Sequence, residues 1–80
     1  MMSYPVETPF RAPASLDLTP AERRVAALMA RGLENAEIAA ELSVSLYTVK
    51  KQVSQVLFKL RARNRTHAVI LLIHPDAEAA

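Results

Sequence analysis

Apolar residues fall in four blocks along the chain, and within the first three their spacing is helical. Ala21, Val25, Leu28 and Met29 recur at intervals of three and four, as do Ile38, Ala39 and Leu42 and then Val49, Val53, Val56, Leu57 and Leu60. Such a repeat places one stripe of each segment on a common side, the mark of a helix that buries one face. The fourth block, Ala68 to Ile73, is apolar on nearly every side. The pattern predicts an all-α domain of four helices.

The boundaries between blocks carry the residues that start and stop helices. Thr19-Pro20-Ala21-Glu22 supplies a capping hydroxyl, a proline suited to the first turn, and a carboxylate three residues past the cap that can reach back to a free N–H. Gly32 gives the first helix its left-handed exit, with Leu33 expected to tuck under the turn. Asn35 is the expected cap of a short second helix, Ala36 to Leu42. Ser43-Val44-Ser45 interrupts it, and Ser45 can cap a third helix from Leu46 to about Arg61. A break of about three residues is the spacing of a helix-turn-helix, although the glycine often found in that turn is absent. Asn64 caps a fourth helix, Arg65 to Ile73, which His74-Pro75 ends. Residues 1–17, with Pro5, Pro9 and Pro13, read as an extended or disordered arm, or equally as a linker or cloning remnant. The compact unit is 18–74, and 75–80 should fray.

Composition then removes several classes of function. Eighty residues allow one domain with a core near the lower limit for independent folding, which disfavours a deep catalytic cleft. The absence of Cys excludes a disulfide framework, and His67 and His74, seven apart with no cysteine partner, make a poor zinc site. There is one glycine, so no glycine-rich phosphate loop, and no serine sits in a His and Asp arrangement. Glu37 and Glu41 on the short second helix lack a cleft. The expectation is a non-enzyme without cofactor or metal. No apolar run approaches the ~18 residues of a membrane span, so a cytoplasmic protein without a membrane partner is expected.

Charge changes the picture more. Leu42 to Pro75 holds six basic residues and no acid, whereas Asp17 to Glu41 holds five acids against three arginines. The net +2 therefore conceals a polarised chain, and a basic helix surface fits a nucleic-acid partner. Projected at 100° per residue, the third helix puts Val49, Val53, Val56, Leu57 and Leu60 on one side with Leu46 beside them. Tyr47, Lys51, Ser54, Gln55 and Phe58 fall opposite, with Lys50 and Arg61 on one flank and Thr48 and Lys59 on the other. A charged outer face is by default a solvated one. Here it also holds groups that suit a major groove: lysines for guanine O6 and N7, Gln55 for adenine, and Tyr47 for a thymine methyl or a phosphate.

At this point several separated stretches resemble one family. Leu18-Thr19-Pro20-Ala21-Glu22-Arg23, Gly32 through Ala39, Ser45-Leu46-Tyr47-Thr48-Val49-Lys50, Lys59-Leu60 and Arg65-Thr66-His67-Ala68-Val69 are similar, in order and spacing, to the LuxR/GerE-type helix-turn-helix of bacterial transcription regulators. The resemblance covers about Leu18 to Ile73. It implies a four-helix DNA-binding domain whose third helix, about 46–61, lies in the major groove, with the second helping to position it and the fourth contributing to dimerisation. On that pattern Thr48 faces a phosphate, Val49 the core and Lys50 the DNA, while Lys51 and Ser54 contact bases or backbone. The expected DNA-contacting set is Tyr47, Thr48, Lys50, Lys51, Ser54, Gln55, Lys59, Arg61, Arg63 and Arg65, with the last four along the backbone.

The departures matter as well. Ala36 and Ala21 stand where the family usually or often has a basic residue, and Gln52 where it commonly has His. Ser54 replaces what is often a larger or basic residue. Each phosphate left without its cation lowers the salt slope of binding by nearly one log unit, so a monomer should bind weakly. A homodimer through Val69, Ile70, Leu72 and Ile73 would compensate and would favour a near-palindromic site. The implied partners are double-stranded DNA, a second copy of the chain, and beyond them another transcription regulator or RNA polymerase. The acidic second helix and outward Phe58 favour an alternative, a helix-turn-helix module that heterodimerises with or inhibits another regulator.

Overall fold

The structure is a computed structural model that describes residues 17–74; all of the predicted arm except Asp17, and the C-terminal end, lie outside the described residues. Four helices follow in order: α1 Pro20–Ala30, α2 Asn35–Leu42, α3 Leu46–Leu60 and α4 Arg65–Ile73. Helix α3 packs against each of the other three, and α1 does the same. Among the described residues the bodies of α2 and α4 do not pack on one another, and a hydrogen bond joins their first residues, Asn35 and Arg65. The fold is all-α: a helix-turn-helix, α2 to α3, with α1 and α4 packed on α3 and on each other.

The core lies where the apolar stripes converge. Val25, Met29, Ile38, Val49 and Val56 are its largest fully enclosed side chains, joined by Leu28, Val53 and Ala68. Leu33, Leu42, Leu57, Leu60, Val69 and Leu72 pack against it from the rim, so Leu33 does tuck under the α1 turn. Four positions differ from the sequence pattern, the first being Ala21 of the α1 stripe, which is only half-buried. Leu18, just outside the first helix, and Ala26 are buried, whereas Leu46 is 42% exposed. Leu46 is the first residue of α3.

The caps explain why the helices end where they do. Thr19 accepts from the Glu22 N–H at 3.1 Å while Glu22 Oε1 accepts from the Thr19 N–H at 3.0 Å, a reciprocal capping box. Ser45 and Asn64 accept from the N–H groups of Thr48 and His67. The second helix corrects the reading of Asn35: its N-cap is Glu34, whose N–H donates to Glu37 Oε1 at 2.7 Å, and Asn35 is the first helical residue. The side chain of Asn35 is thereby released for another partner.

Helices α1, α2 and α3 end alike. In each, a left-handed residue lets the next N–H reach back five positions: Leu33 to Leu28, Val44 to Ala39 and Ala62 to Leu57. These are Schellman closures. Gly32 (φ 90°) makes the first without a Cβ penalty. Ser43 (φ 57°) and Arg61 (φ 58°) make the other two despite one. Ser43 occupies the position where the helix-turn-helix turn lacks its glycine.

Candidate nucleic-acid interface

Burial along α3 separates its two faces. Val49, Val53 and Val56 are enclosed, whereas Tyr47, Lys50, Lys51, Ser54, Gln55 and Phe58 are exposed. Tyr47 and Phe58 are 70% and 78% exposed, so both aromatics of the described residues stand outside the core. The Lys51 ammonium sits 5.4 Å from the centre of the Tyr47 ring. A cation over an aromatic face at that range is weakly attractive, and here it joins the first and second turns of the exposed side.

The N-terminal end of α3 is positive by construction. Its first turn holds no acid, so the end of the helix dipole is not compensated by a side chain. The Ser45 hydroxyl accepts from the Thr48 N–H and donates to Thr48 Oγ1, both at 3.0 Å. Thr48 is half-buried, and its hydroxyl oxygen is engaged with the cap. Tyr47, Lys50, Lys51, Ser54 and Gln55 are thus gathered on one face, with Thr48 at its edge.

Other residues of the predicted set have partners within the fold. Lys59 points back to α1, where its Nζ donates to Glu22 Oε1 at 2.7 Å and to the Asp17 carbonyl at 3.1 Å. The Lys59 hydrogen bond is the largest of several interactions that hold the Glu22 carboxyl below its ordinary value, followed by the Thr19 N–H and opposed by burial. Arg65, the first residue of α4, clamps the α1–α2 link: Nη1 donates to Asn35 Oδ1 and Nη2 to the Leu33 carbonyl, both at 2.7 Å. This is the partner that the release of Asn35 from capping allows. Arg61 and Arg63 are exposed around the α3–α4 turn, and the Arg63 N–H donates to Nδ1 of the buried His67 at 2.9 Å. An imidazole nitrogen that accepts carries no proton, so His67 is held with its proton elsewhere and serves the turn.

The apolar surplus of α4 is smaller than the sequence pattern indicates. Ala68 and Leu71 are buried, Val69 and Leu72 pack on the core, and Ile70 and Ile73 are 43% and 51% exposed. Among the described residues no helix is long and apolar enough to cross a membrane, and no group of three or more His, Cys, Asp or Glu could hold a metal ion.

Four helices in this order, a three-residue turn before α3 and a polar outer face on α3 define a helix-turn-helix domain. The chain belongs to the luxR family of bacterial regulatory proteins, whose GerE model matches residues 16–72. Its relatives include the response regulator Rre1 of Synechocystis, 44% identical over 57 residues, 71% of this chain and 25% of the relative. The transcriptional regulatory protein LnrK of Bacillus subtilis is 47% identical over 55 residues, covering 69% and 25%. The response regulator protein VraR of Staphylococcus aureus is 43% identical over 53 residues, covering 66% and 25%. The chain spans about a quarter of the length of these curated relatives.

Proposed function

We propose that this chain is the DNA-binding unit of a bacterial transcription regulator and places α3 in the major groove of duplex DNA. The observation that carries the reading is the division of α3: an enclosed valine seam on one side, and Lys50, Lys51, Ser54 and Gln55 exposed together on the other. Family membership and relatives described as response and transcriptional regulators support it. In this reading Lys50, Lys51, Ser54 and Gln55 contact bases or the adjacent backbone. Tyr47, Thr48 and the acid-free first turn of α3 meet phosphates, with Arg61 and Arg63 extending the track. Lys59 and Arg65 support the interface through their internal bonds, which fix α3 against α1 and the α1–α2 link against α4.

A homodimer through α4 belongs to the same proposal. Ile70 and Ile73 are the exposed apolar side chains of that helix, and Val69 and Leu72 flank them. Paired domains would present two α3 helices about one turn of DNA apart. Ile70→Glu should leave a monomer if the mass in solution of the unaltered chain is that of a dimer; a monomeric mass for both removes the dimer.

A titration of labelled mixed-sequence duplex at two salt concentrations tests DNA binding. Binding should weaken as salt rises, because each phosphate neutralised releases counterions. The second reading, a module that pairs with another regulator, draws on exposed Glu37 and Glu41 of α2 and on exposed Phe58. No measurable binding at low salt would leave that reading in place of the first.

A further inference from the structure

We infer that Phe58 is a specificity-determining residue that reads a thymine methyl in the major groove. The inference rests on the proposal that α3 enters that groove, and it deepens it by adding a residue outside the polar set. At 100° per residue Phe58 lies within about 20° of both Tyr47 and Lys51, on the midline of the exposed arc that runs from Lys50 to Gln55. It stands about 10 Å along the helix axis from Lys51, two turns further on the same face. At 78% exposed, it is the least covered large apolar side chain of the described residues.

What surrounds Phe58 decides between a base and a protein surface. Its neighbours three and four positions back on the helix, Gln55 and Ser54, are polar and exposed, and Arg61, the left-handed residue just past the helix end, is basic and exposed. A protein docking site needs a contiguous apolar patch of a few hundred Å². One isolated phenyl ring does not supply it. A thymine C5-methyl, by contrast, is a single apolar group set among acceptors and phosphates, and an aromatic ring is one of the groups suited to touch it. The surroundings match that target: α3 carries no acid along its whole length, and the midline offers Lys51, Ser54 and then the ring in sequence.

The test uses the 80-residue chain and its Phe58→Ala variant, each taken through selection of binding sites from a random duplex pool. In the selected site each thymine is then replaced in turn by deoxyuridine, which removes only the methyl. One replacement, at a thymine other than the pair whose preference is lost in Lys51→Ala, should weaken wild-type binding about fourfold, the discrimination expected of one buried methyl. The same replacement should leave Phe58→Ala unaffected. If both proteins respond alike at every thymine, or if Phe58→Ala binds all duplexes more weakly by one common factor, Phe58 is not a base reader. If wild type selects and binds no duplex, the DNA reading fails first and the inference falls with it. Because Phe58 is largely exposed, a nearly unchanged melting temperature for Phe58→Ala accompanies the expected result.

Discussion

The basic residues of the acid-free span fall into two groups that the sequence does not distinguish. At the start of α3, Lys50 and Lys51 are exposed, with no carboxylate among their neighbours on that helix. At the helix end and the start of α4, Lys59 and Arg65 are drawn inward, one to the carboxylate of Glu22 and the Asp17 carbonyl, the other to Asn35 and the Leu33 carbonyl. The difference is one of what lies across the seam. Where α3 passes α1, a carboxylate already used in a cap has a lone pair left for a lysine; at Lys50 and Lys51 no carboxylate of the described residues forms an ion pair. A basic stretch can therefore hold both the interface and the struts that orient it.

The widest separation between the groups should come from removing the exposed pair. Lys50→Ala with Lys51→Ala should weaken duplex binding about 100-fold, as expected when interactions worth about 1–3 kcal/mol are removed, and should flatten the salt dependence. Thermal unfolding should hardly move, since both side chains are exposed and the Lys51–Tyr47 contact is weak. A large fall in melting temperature with unaltered binding would reverse the assignment.

Lys59→Met should do the opposite. It leaves the largely buried Glu22 carboxylate without its ammonium, which should cost about 2 kcal/mol, below the range for breaking a fully enclosed pair because Lys59 is partly exposed. Denaturant titration reads this directly. The effect has a pH signature. Folding holds Glu22 below its ordinary value, so on acidification the unfolded chain takes up this proton before the folded one does. The stabilisation is present in full above the ordinary carboxylate range and is lost as pH falls through the folded value. In Lys59→Met that dependence should be shallower, and equal acid sensitivity in the two proteins would show that the ion pair contributes nothing. Arg65→Met should cost about 1–2 kcal/mol by removing two charge-assisted hydrogen bonds, and duplex binding measured on the folded fraction should stay within a few-fold.

Much of this fold could be read along the chain because its signals are local. The Thr19–Glu22 box, the Ser45 and Asn64 caps and the valine seam of α3 each depend on residues a turn or two apart, and each is found where spacing put it. The misses are of another kind. Asn35 is a good capping residue, but Glu34 takes the cap with Glu37 and frees Asn35 for Arg65, thirty residues on. Lys59 lies on the flank of the polar arc by projection, and only the path of α1 shows that this flank faces Glu22. Leu18 precedes any helical repeat and so had no periodicity to reveal it, although it is buried. Periodicity assigns a side chain to a face; it does not say which helix lies opposite. For the candidate interface, the outward placement of Tyr47, Lys50, Lys51, Ser54 and Gln55 was legible, and the inward partners of Lys59 and Arg65 were not.

The smallest expected change concerns the turn that joins the two halves of the helix-turn-helix. Ser43 holds a left-handed conformation, which costs a residue with a Cβ about 1–2 kcal/mol relative to the right-handed helix, and its N–H bond to the Ala40 carbonyl is long at 3.3 Å. Glycine adopts the same backbone without that cost but gains freedom in the unfolded chain, so the two effects partly cancel. Ser43→Gly should therefore stabilise by about 0.5–1 kcal/mol, seen as a rise in the denaturant midpoint with an unchanged slope. No charge moves and no outward residue of α3 is touched, so duplex affinity should remain as it was. That pairing separates the two groups of basic residues from a third cause: if tightening the turn also strengthens binding, the exposed lysines are limited by how firmly α3 is held, and the struts at Lys59 and Arg65 share in recognition through the angle they impose.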